Sequence, residues 1–383
     1  MNFLSCLLMF AALALLYLLG VQLINFFSLK KLGTFPAAPD YPFVSVLVPA
    51  RNEERNIEKC VQSLCAQDYP NYEILVLDDG SEDQTWPILT RLAQGKANLR
   101  LLEGRPLPAD WAGKCWACHQ LAEKAQGEFL LFVDADTVHA PAMLRTVVDA
   151  ACFYQADLVT GLPRERAETF GELLTIPLIN WGISAALPLP LAFALPAPFL
   201  SITVGQFLCF RREAYARIGG HRAVKDHVCE DMALGRLVKA KGLRWRLVDA
   251  GPVVQCRMYT NLREAVDGLS KTLFGAINFR LGLVFLFSLL LAVLFCLPPW
   301  LVLKSIVVPL PRALVGQAGT ALVLAFLSWA IASLRFRLPW YTAFLYPLIS
   351  GLSIFIFLRS AYLTLTGRVS WKGRRLGRPK LRW

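Results

Sequence analysis

Four apolar runs decide what this chain can become. Residues 3–27, 281–303, 313–334 and 340–358 are almost free of charge, and crossing a bilayer takes about 20 such residues. A chain carrying them must satisfy their backbone groups inside helices. The first run has no basic residue before it and no small-residue cleavage pattern, which reads as a retained anchor over 1–28, not a cleaved leader. The other three runs give C-terminal spans within 281–365, with a basic tail over 366–383.

Charge follows the same division. Lysine and arginine total 40 against 28 acidic residues, for a net charge of +12. The last acidic residue is Asp267, and 14 basic residues follow it. The excess therefore lies around the apolar runs, where it reports membrane topology. It does not form the basic face of a nucleic-acid binder. Lys30 and Lys31 follow the first run and imply a cytoplasmic segment after it, in a multi-pass protein of the inner membrane. Arg335 and Arg337 suggest a cytoplasmic turn, and the basic tail wants the same side. Four spans from an outside N-terminus would instead put the tail outside, so one run is re-entrant or the tail breaks the rule. The ten cysteines are scattered, several of them in apolar runs, and do not form a disulfide framework.

Between the anchors, residues 40–280 read as a globular α/β domain. Residues 43–49 (FVSVLVP), 73–77 (EILVL) and 129–133 (FLLFV) are β-rich runs, and 56–67 has helical spacing. Continuous apolar strands alternating with helices imply a mostly parallel, Rossmann-like sheet covered on both faces. Residues 33–42 read as a proline-rich linker. Residues 173–200 are apolar but hold Pro177, Pro188, Pro190, Pro196 and Pro198. A straight span is excluded there, leaving an interfacial or re-entrant segment or a buried helix and loop.

The acidic residues carry the chemistry. Asp134 and Asp136 directly follow a buried strand, and ligands of such sheets bind at the carboxyl ends of strands. Two carboxylates there suit a hard divalent cation such as Mg2+ or Mn2+; an ordinary aspartate turn is the plain alternative. Asp78 and Asp79 end a second strand, where a carboxylate can accept from a base or a ribose. Glu230 and Asp231 open an amphipathic helix, either as capping residues or as a general base.

Taken together, SVLVPARNEE (45–54), VLDDGSED (76–83), FVDAD (132–136), GQFLCFRREAYARIGG (205–220) and Glu230-Asp231 resemble the inverting glycosyltransferases of family 2, which have the GT-A fold. The resemblance implies an enzyme that moves a sugar from a nucleotide-diphospho-sugar to an acceptor hydroxyl. By that resemblance Pro49, Asn52, Glu53, Asp78, Asp79, Lys114 and Asp134 face the nucleotide-sugar. Asp136 with Asp134 holds the metal, and Asp231, beside Glu230, is the catalytic base. The segments around 110–120 (DWAGKCWACHQ), Cys256-Arg257-Met258-Tyr259, Ser270-Lys271 and WKGR (371–374) look like membrane-bound bacterial transferases associated with hopanoid and carotenoid biosynthesis. That resemblance implies a lipid acceptor.

One departure weighs against a rival, a processive polysaccharide synthase. Processive and ceramide-type relatives carry Gln/Arg-x-x-Arg-Trp well downstream of the base. Here Arg244-Trp245 is the only Arg-Trp pair before the tail's last two residues, and it comes too early, which argues against a processive polysaccharide synthase. An inactive membrane scaffold would have no need of acids at every strand end. Cys115-Trp116-Ala117-Cys118-His119 fits a c-type haem attachment motif, but attachment would require the opposite side of the membrane.

Overall fold

The computed structural model describes residues 3–371, 374 and 375. In chain order the elements begin with α1 (Phe3–Ser28), β1 (Val44–Ala50), α2 (Ile57–Cys65), β2 (Tyr72–Asp78), α3 (Thr85–Ala93), β3 (Leu99–Glu103) and α4 (Gly113–Lys124). Then come β4 (Phe129–Val133), β5 (Thr137–His139), α5 (Met143–Tyr154), β6 (Leu158–Leu162) and β7 (Arg164–Glu165). Short helices α6 (Phe170–Leu173), α7 (Ile176–Ala186) and α8 (Leu189–Ala194) lead to β8 (Phe207–Arg211), α9 (Arg212–Arg217), α10 (Glu230–Ala240), β9 (Trp245–Asp249) and β10 (Val254–Cys256). The chain continues with α11 (Leu262–Ala276), α12 (Leu281–Leu291), α13 (Leu297–Val307), α14 (Arg312–Phe336) and α15 (Tyr346–Leu365).

These elements form two compact units. The α/β unit takes Leu29–Arg166 and Leu191–Met258. Its sheet has seven strands in the order β3-β2-β1-β4-β8-β6-β9. Only β8 runs antiparallel to its neighbours; the other pairings are parallel. All five residues of β4 are buried, which explains its unbroken apolar run: a strand covered on both faces has no solvent side. Because β1, β2 and β4 are parallel, their carboxyl ends deliver residues 50–54, 78–83 and 134–136 to one sheet edge. A small second sheet, β5-β10-β7, carries the chain beyond that edge.

Residues 33–42 are packed, not a free linker. Leu32, Phe35 and Ala38 are buried, Leu32 N donates to Asp249 O of β9 at 2.9 Å, and Ala38 N donates to the Asp149 carboxylate of α5 at 2.7 Å. The prolines keep this stretch extended, and its spaced apolar residues complete the core.

A strap at 191–205 lies along α10. Lys239, only 4% exposed, donates from Nζ to Ala192 O and to Leu200 O at 2.8 Å. Further along, a Cβ built on Gly235 would stand 1.9 Å from Thr203 Oγ1. Glycine at 235 is thus required by the close approach of strap and helix.

The helical unit takes the residues up to Ser28, Ala167–Pro190 and the chain from Tyr259 onward. The boundary expected at residue 280 therefore falls inside it, and the 173–200 segment is shared between the units at Pro190. Among the described residues four helices are long and apolar enough to cross a membrane: Phe3–Ser28, Leu281–Val307, Arg312–Phe336 and Tyr346–Leu365. The second is continuous through a π-turn at Ala292–Cys296. Pro298 and Pro299 follow that turn, and a proline cannot complete the ordinary ladder of the preceding turn. The last helix begins at Tyr346, not at 340, because Trp340–Phe344 forms a 3-10 turn and Pro347 sits in the first turn of α15, where a missing N–H costs nothing.

Helix α7 is tied to α1 and α14 by a closed polar ring. Gln22 donates to Ser184 Oγ (3.0 Å), Trp181 Nε1 to Ser328 Oγ (2.8 Å), and Ser328 Oγ to Gln22 Oε1 (2.7 Å). Asn25 donates to the carbonyls of Ser184 and Leu187 and accepts from Leu189 N. Trp181 stacks on Trp329 with ring centroids 5.6 Å apart. Amphipathic α11 packs on α15 through Asp267–Arg359 (2.6 Å), and Lys271 lies on this helix. Of the expected basic tail, residues 372, 373 and 376–383 lie outside the described residues.

The strap contact yields one test. Gly235→Ala should destabilise the protein by about 1–3 kcal/mol through overpacking, read as a lowered thermal midpoint in detergent. Adding Thr203→Ala should recover part of the loss. An unchanged midpoint in the single variant would contradict the close contact.

Candidate active site

The loops leaving β1 and β2 are laced to one another. Arg51, 8% exposed, donates from Nη1 to Asp79 O (2.5 Å) and Gly80 O (2.8 Å). Asn52 sits at a left-handed φ of 52°, which asparagine tolerates better than most residues. That turn lets its N–H reach Ser81 Oγ (2.9 Å) while its side chain accepts from Glu82 N (2.8 Å). Glu53 N donates to Thr85 Oγ1 at 2.8 Å. Asp78 accepts from the backbone N–H of Ser81 at 3.0 Å and from its hydroxyl. Asp78 and Asp79 are both buried. Pro49, half-buried at the end of β1, pairs in register with Leu77.

The turn after β4 carries Asp134 and Asp136. Thr137 Oγ1 donates to Asp134 O at 2.6 Å, which fixes the backbone of the turn. Lys114, in the first turn of α4, joins this turn to α10. Its Nζ lies 2.7 Å from Asp134 Oδ1 and 3.0 Å from Glu230 Oε1. Removal from water pulls the ammonium pKa down, but the two carboxylates outweigh that and leave it well above its ordinary value. The first turn of α10 holds Glu230, which is 5% exposed, and Asp231.

Asp231 is held by two backbone donors. Gly205 N donates to Oδ2 at 2.8 Å and Met232 N to Oδ1 at 2.7 Å. Removal from water raises its pKa first and the Glu230 charge second, against the pull of Lys114 and the two N–H groups. The net effect pushes it up to about 7. A Cβ at position 205 would come within 3.2 Å of both Asp231 Oδ2 and Lys114 Nζ. Gly205 therefore keeps the space in which the Asp231 carboxylate and the Lys114 ammonium meet.

The edge thus gathers Lys114, Asp134, Glu230 and Asp231 into direct or adjacent contact. Asp136 and Glu53 act on the same field: loss of water and then the Asp134 and Glu53 charges raise the Asp136 pKa. Asp136 Oδ1 is shut off from solvent with no hydrogen-bond partner. That orphaned oxygen beside a second carboxylate fits a hard cation. Among the described residues no group of three or more His, Cys, Asp and Glu side chains forms a metal cage. Such a cation would complete its shell with ligand oxygens and water, as Mg2+ commonly does.

Three contributors have no role assigned from the sequence, although Gln206 and Cys256 lie in segments that carry the resemblance. Gln206 Nε2 donates to Glu165 Oε1 and to Cys256 Sγ, each at 3.0 Å. Cys256 in turn hydrogen-bonds the Asp136 carboxylate. Glu165, cut off from water, has its pKa pushed up to about 8. Glu165, Gln206 and Cys256 come from β7, the residue before β8, and β10, so only the paired strands β7 and β10 bring them under Asp136. Cys115 and Cys118 are each 1% exposed on α4, and His119 stacks on Trp111 at 5.0 Å. These cysteines are packing residues of a helix.

Comparison with known proteins bears on the family and the fold. Residues 45–219 match the model of the family described as Glycosyl transferase family 2. A beta-monoglucosyldiacylglycerol synthase from Trichormus variabilis is 42% identical over 109 residues, covering 28% of this chain and 23% of that one. A 4,4'-diaponeurosporenoate glycosyltransferase from Staphylococcus aureus is 26% identical over 244 residues, 60% of each chain. The chain therefore spans under a quarter of the first relative's length. The solved structure of a mannosyltransferase from Pyrobaculum calidifontis, in complex with GDP-Man and Mn2+, superposes with a TM-score of 0.52 at 20% identity. That superposition covers 94% of this chain and 99% of that one, and the shared architecture is the GT-A fold. The fold and the matched segment agree: residues 45–219 of this chain carry a glycosyl transferase family 2 domain.

Proposed function

We propose that this protein transfers a sugar from a nucleotide-diphospho-sugar to a lipid hydroxyl, with inversion, at the cytoplasmic face of the inner membrane. The observation that carries the reading is Asp231: a carboxylate oriented by two backbone N–H groups, titrating near neutrality, close to the Lys114–Asp134 pair. A general base works best when its pKa lies near the operating pH. The lipid acceptor is supported by the four apolar helices and by relatives named for diacylglycerol and diaponeurosporenoate products or substrates.

In this reading the laced loops of β1 and β2, with Pro49, Asn52, Glu53, Asp78 and Asp79, receive the nucleotide. Asp231 removes the proton from the acceptor hydroxyl as its oxygen attacks the anomeric carbon. The bond from that carbon to the diphosphate breaks, and the nucleoside diphosphate leaves with the electron pair. Lys114 lies where it can stabilise that negative charge, and Glu230 keeps Lys114 in position. Asp134 and Asp136 would hold a divalent cation, which would supply Lewis-acid stabilisation of the leaving-group charge. Gln206 and Cys256 orient Asp136 from behind.

Two outcomes test this. In lipid nanodiscs with a panel of nucleotide-sugars and Mn2+, Asp231→Asn should cut nucleoside diphosphate release by about 100- to 10,000-fold, the range expected on losing a general base. Nucleotide binding should survive; loss of both together would remove Asp231 from the base role. The pH profile has a definite sign. The folded pKa of Asp231 is raised to about 7, and the active form is the ionised one. kcat/KM should therefore be full above that value and fall as pH drops through it. A rate that stays flat down to the ordinary carboxylate range would contradict the assignment.

A further inference from the structure

One pole of the α/β unit exposes large apolar side chains that the proposed chemistry does not use. On the strap, Leu191 is 47%, Leu195 44% and Phe199 79% exposed. Phe153, at the end of α5, is 48% exposed. Behind them runs a continuous aromatic series: Phe35–Phe153 (5.4 Å), Phe153–Tyr154 (5.1 Å), Tyr154–Phe193 (6.4 Å) and Phe193–Trp245 (5.7 Å). Cations cap it. Lys30 Nζ lies 4.9 Å from the Phe153 ring, and the Arg246 guanidinium lies 5.0 Å from that of Phe193.

We infer that this pole is a membrane-docking face, and that its occupant is the interfacial layer of the bilayer. Four observations argue for that occupant. Lys30 lies two residues after the last residue of α1, so the cation over Phe153 is attached to the end of a spanning-length helix. The strap begins two residues after Leu189, whose N–H donates to Asn25 near that same end of α1. The two stretches of chain that lead into the pole are thus both tied to one end of α1. Aromatic rings mixed with lysine and arginine are the composition favoured at membrane–water interfaces, where long cationic side chains reach toward headgroups.

The fourth observation concerns the backbone. A segment entering an apolar layer must have its polar groups met from within. Lys239 does this for the strap, donating to carbonyls at both ends of 192–200 from beneath. The outer side is left to apolar side chains. The same strap continues past Thr203 to Gly205, the residue that donates to Asp231. Residues 231 and 239 are about 12 Å apart along α10 at 1.5 Å per residue. Docking at this pole would therefore hold the base a fixed height above the lipid. The inference extends the proposed membrane setting and does not depend on sugar transfer.

The test uses the full chain in nanodiscs of phosphatidylcholine and phosphatidylglycerol, with the photoreactive residue p-benzoylphenylalanine in place of Leu195, Phe199 or, as an exposed control on α9, Arg217. Mass spectrometry then identifies the adducts. Lipid adducts at 195 and 199 should exceed those at 217 several-fold, with thermal midpoints unchanged because these side chains are exposed. Equal labelling at the three positions, or adducts to a second copy of the chain in place of lipid, would overturn the docking face. Because no turnover is needed, the result is independent of whether the chain transfers sugar.

Discussion

The ammonium of Lys114 is the contact on which the site depends. The sheet edge brings Asp134, Asp136, Glu230 and Asp231 within reach of one another, and carboxylates crowded in partial burial repel. One cation, 2.7 Å from Asp134 and 3.0 Å from Glu230, makes the arrangement tenable. Asp134 and Glu230 are its ion-pair partners. For Asp136 and Asp231, loss of water is the first cause of a raised pKa, and the Lys114 charge works against that rise.

Backbone geometry does the rest of the positioning. Each functional carboxylate stands at an end of regular structure: Asp78 closes β2, Asp134 follows β4, and Asp231 is in the first turn of α10. The parallel pairing of β1, β2 and β4 brings the first two of these sets to the same edge. The antiparallel β8 starts beside the end of β4, with Phe207 opposite Val133, and so carries Gly205 back to that edge. A mixed sheet is therefore what allows Gly205, 71 positions downstream of Asp134, to donate to Asp231.

Much of this was legible in the residues. Fully buried strands must be continuous apolar runs, so β1, β2 and β4 announce themselves, and acids placed directly after such runs mark the working edge. The start of α10 at Glu230 was equally clear, because acids in a first turn suit a helix N-terminus. Other features have no local signature. Glu165, Gln206 and Cys256 meet only through strand pairing across some 90 residues of chain; Gln206 and Cys256 stand in segments that carry the resemblance, but nothing in their spacing foretells that they meet. Residues 33–42 look like a linker because prolines dominate the composition, yet spaced apolar side chains complete the core. Residues 173–200 mix apolar and proline character, which fits a bundle helix and a surface strap equally well; the structure contains one of each. The 259–280 stretch is amphipathic and could pack on either unit.

The placement of β8 has a consequence for synthesis of the protein. In the sheet, β6 lies between β8 and β9, and both are made after it. When Leu158–Leu162 leaves the ribosome, its neighbours do not yet exist, and the next long segment made is the apolar Ala167–Pro190. The nascent chain must therefore hold an unpaired strand, every residue of which is destined for burial, while a helix of the helical unit emerges behind it. The half-sheet β3-β2-β1-β4 can form early, but closure waits for Phe207–Arg211. Capture of Ala167–Pro190 by α1, the part of the helical unit already made and the partner of Ser184 through Gln22 and Asn25, would withdraw the nearest sticky segment from that waiting strand. Membrane insertion would then act on the α/β unit as a chaperone acts, by removing the wrong partner until the right one arrives.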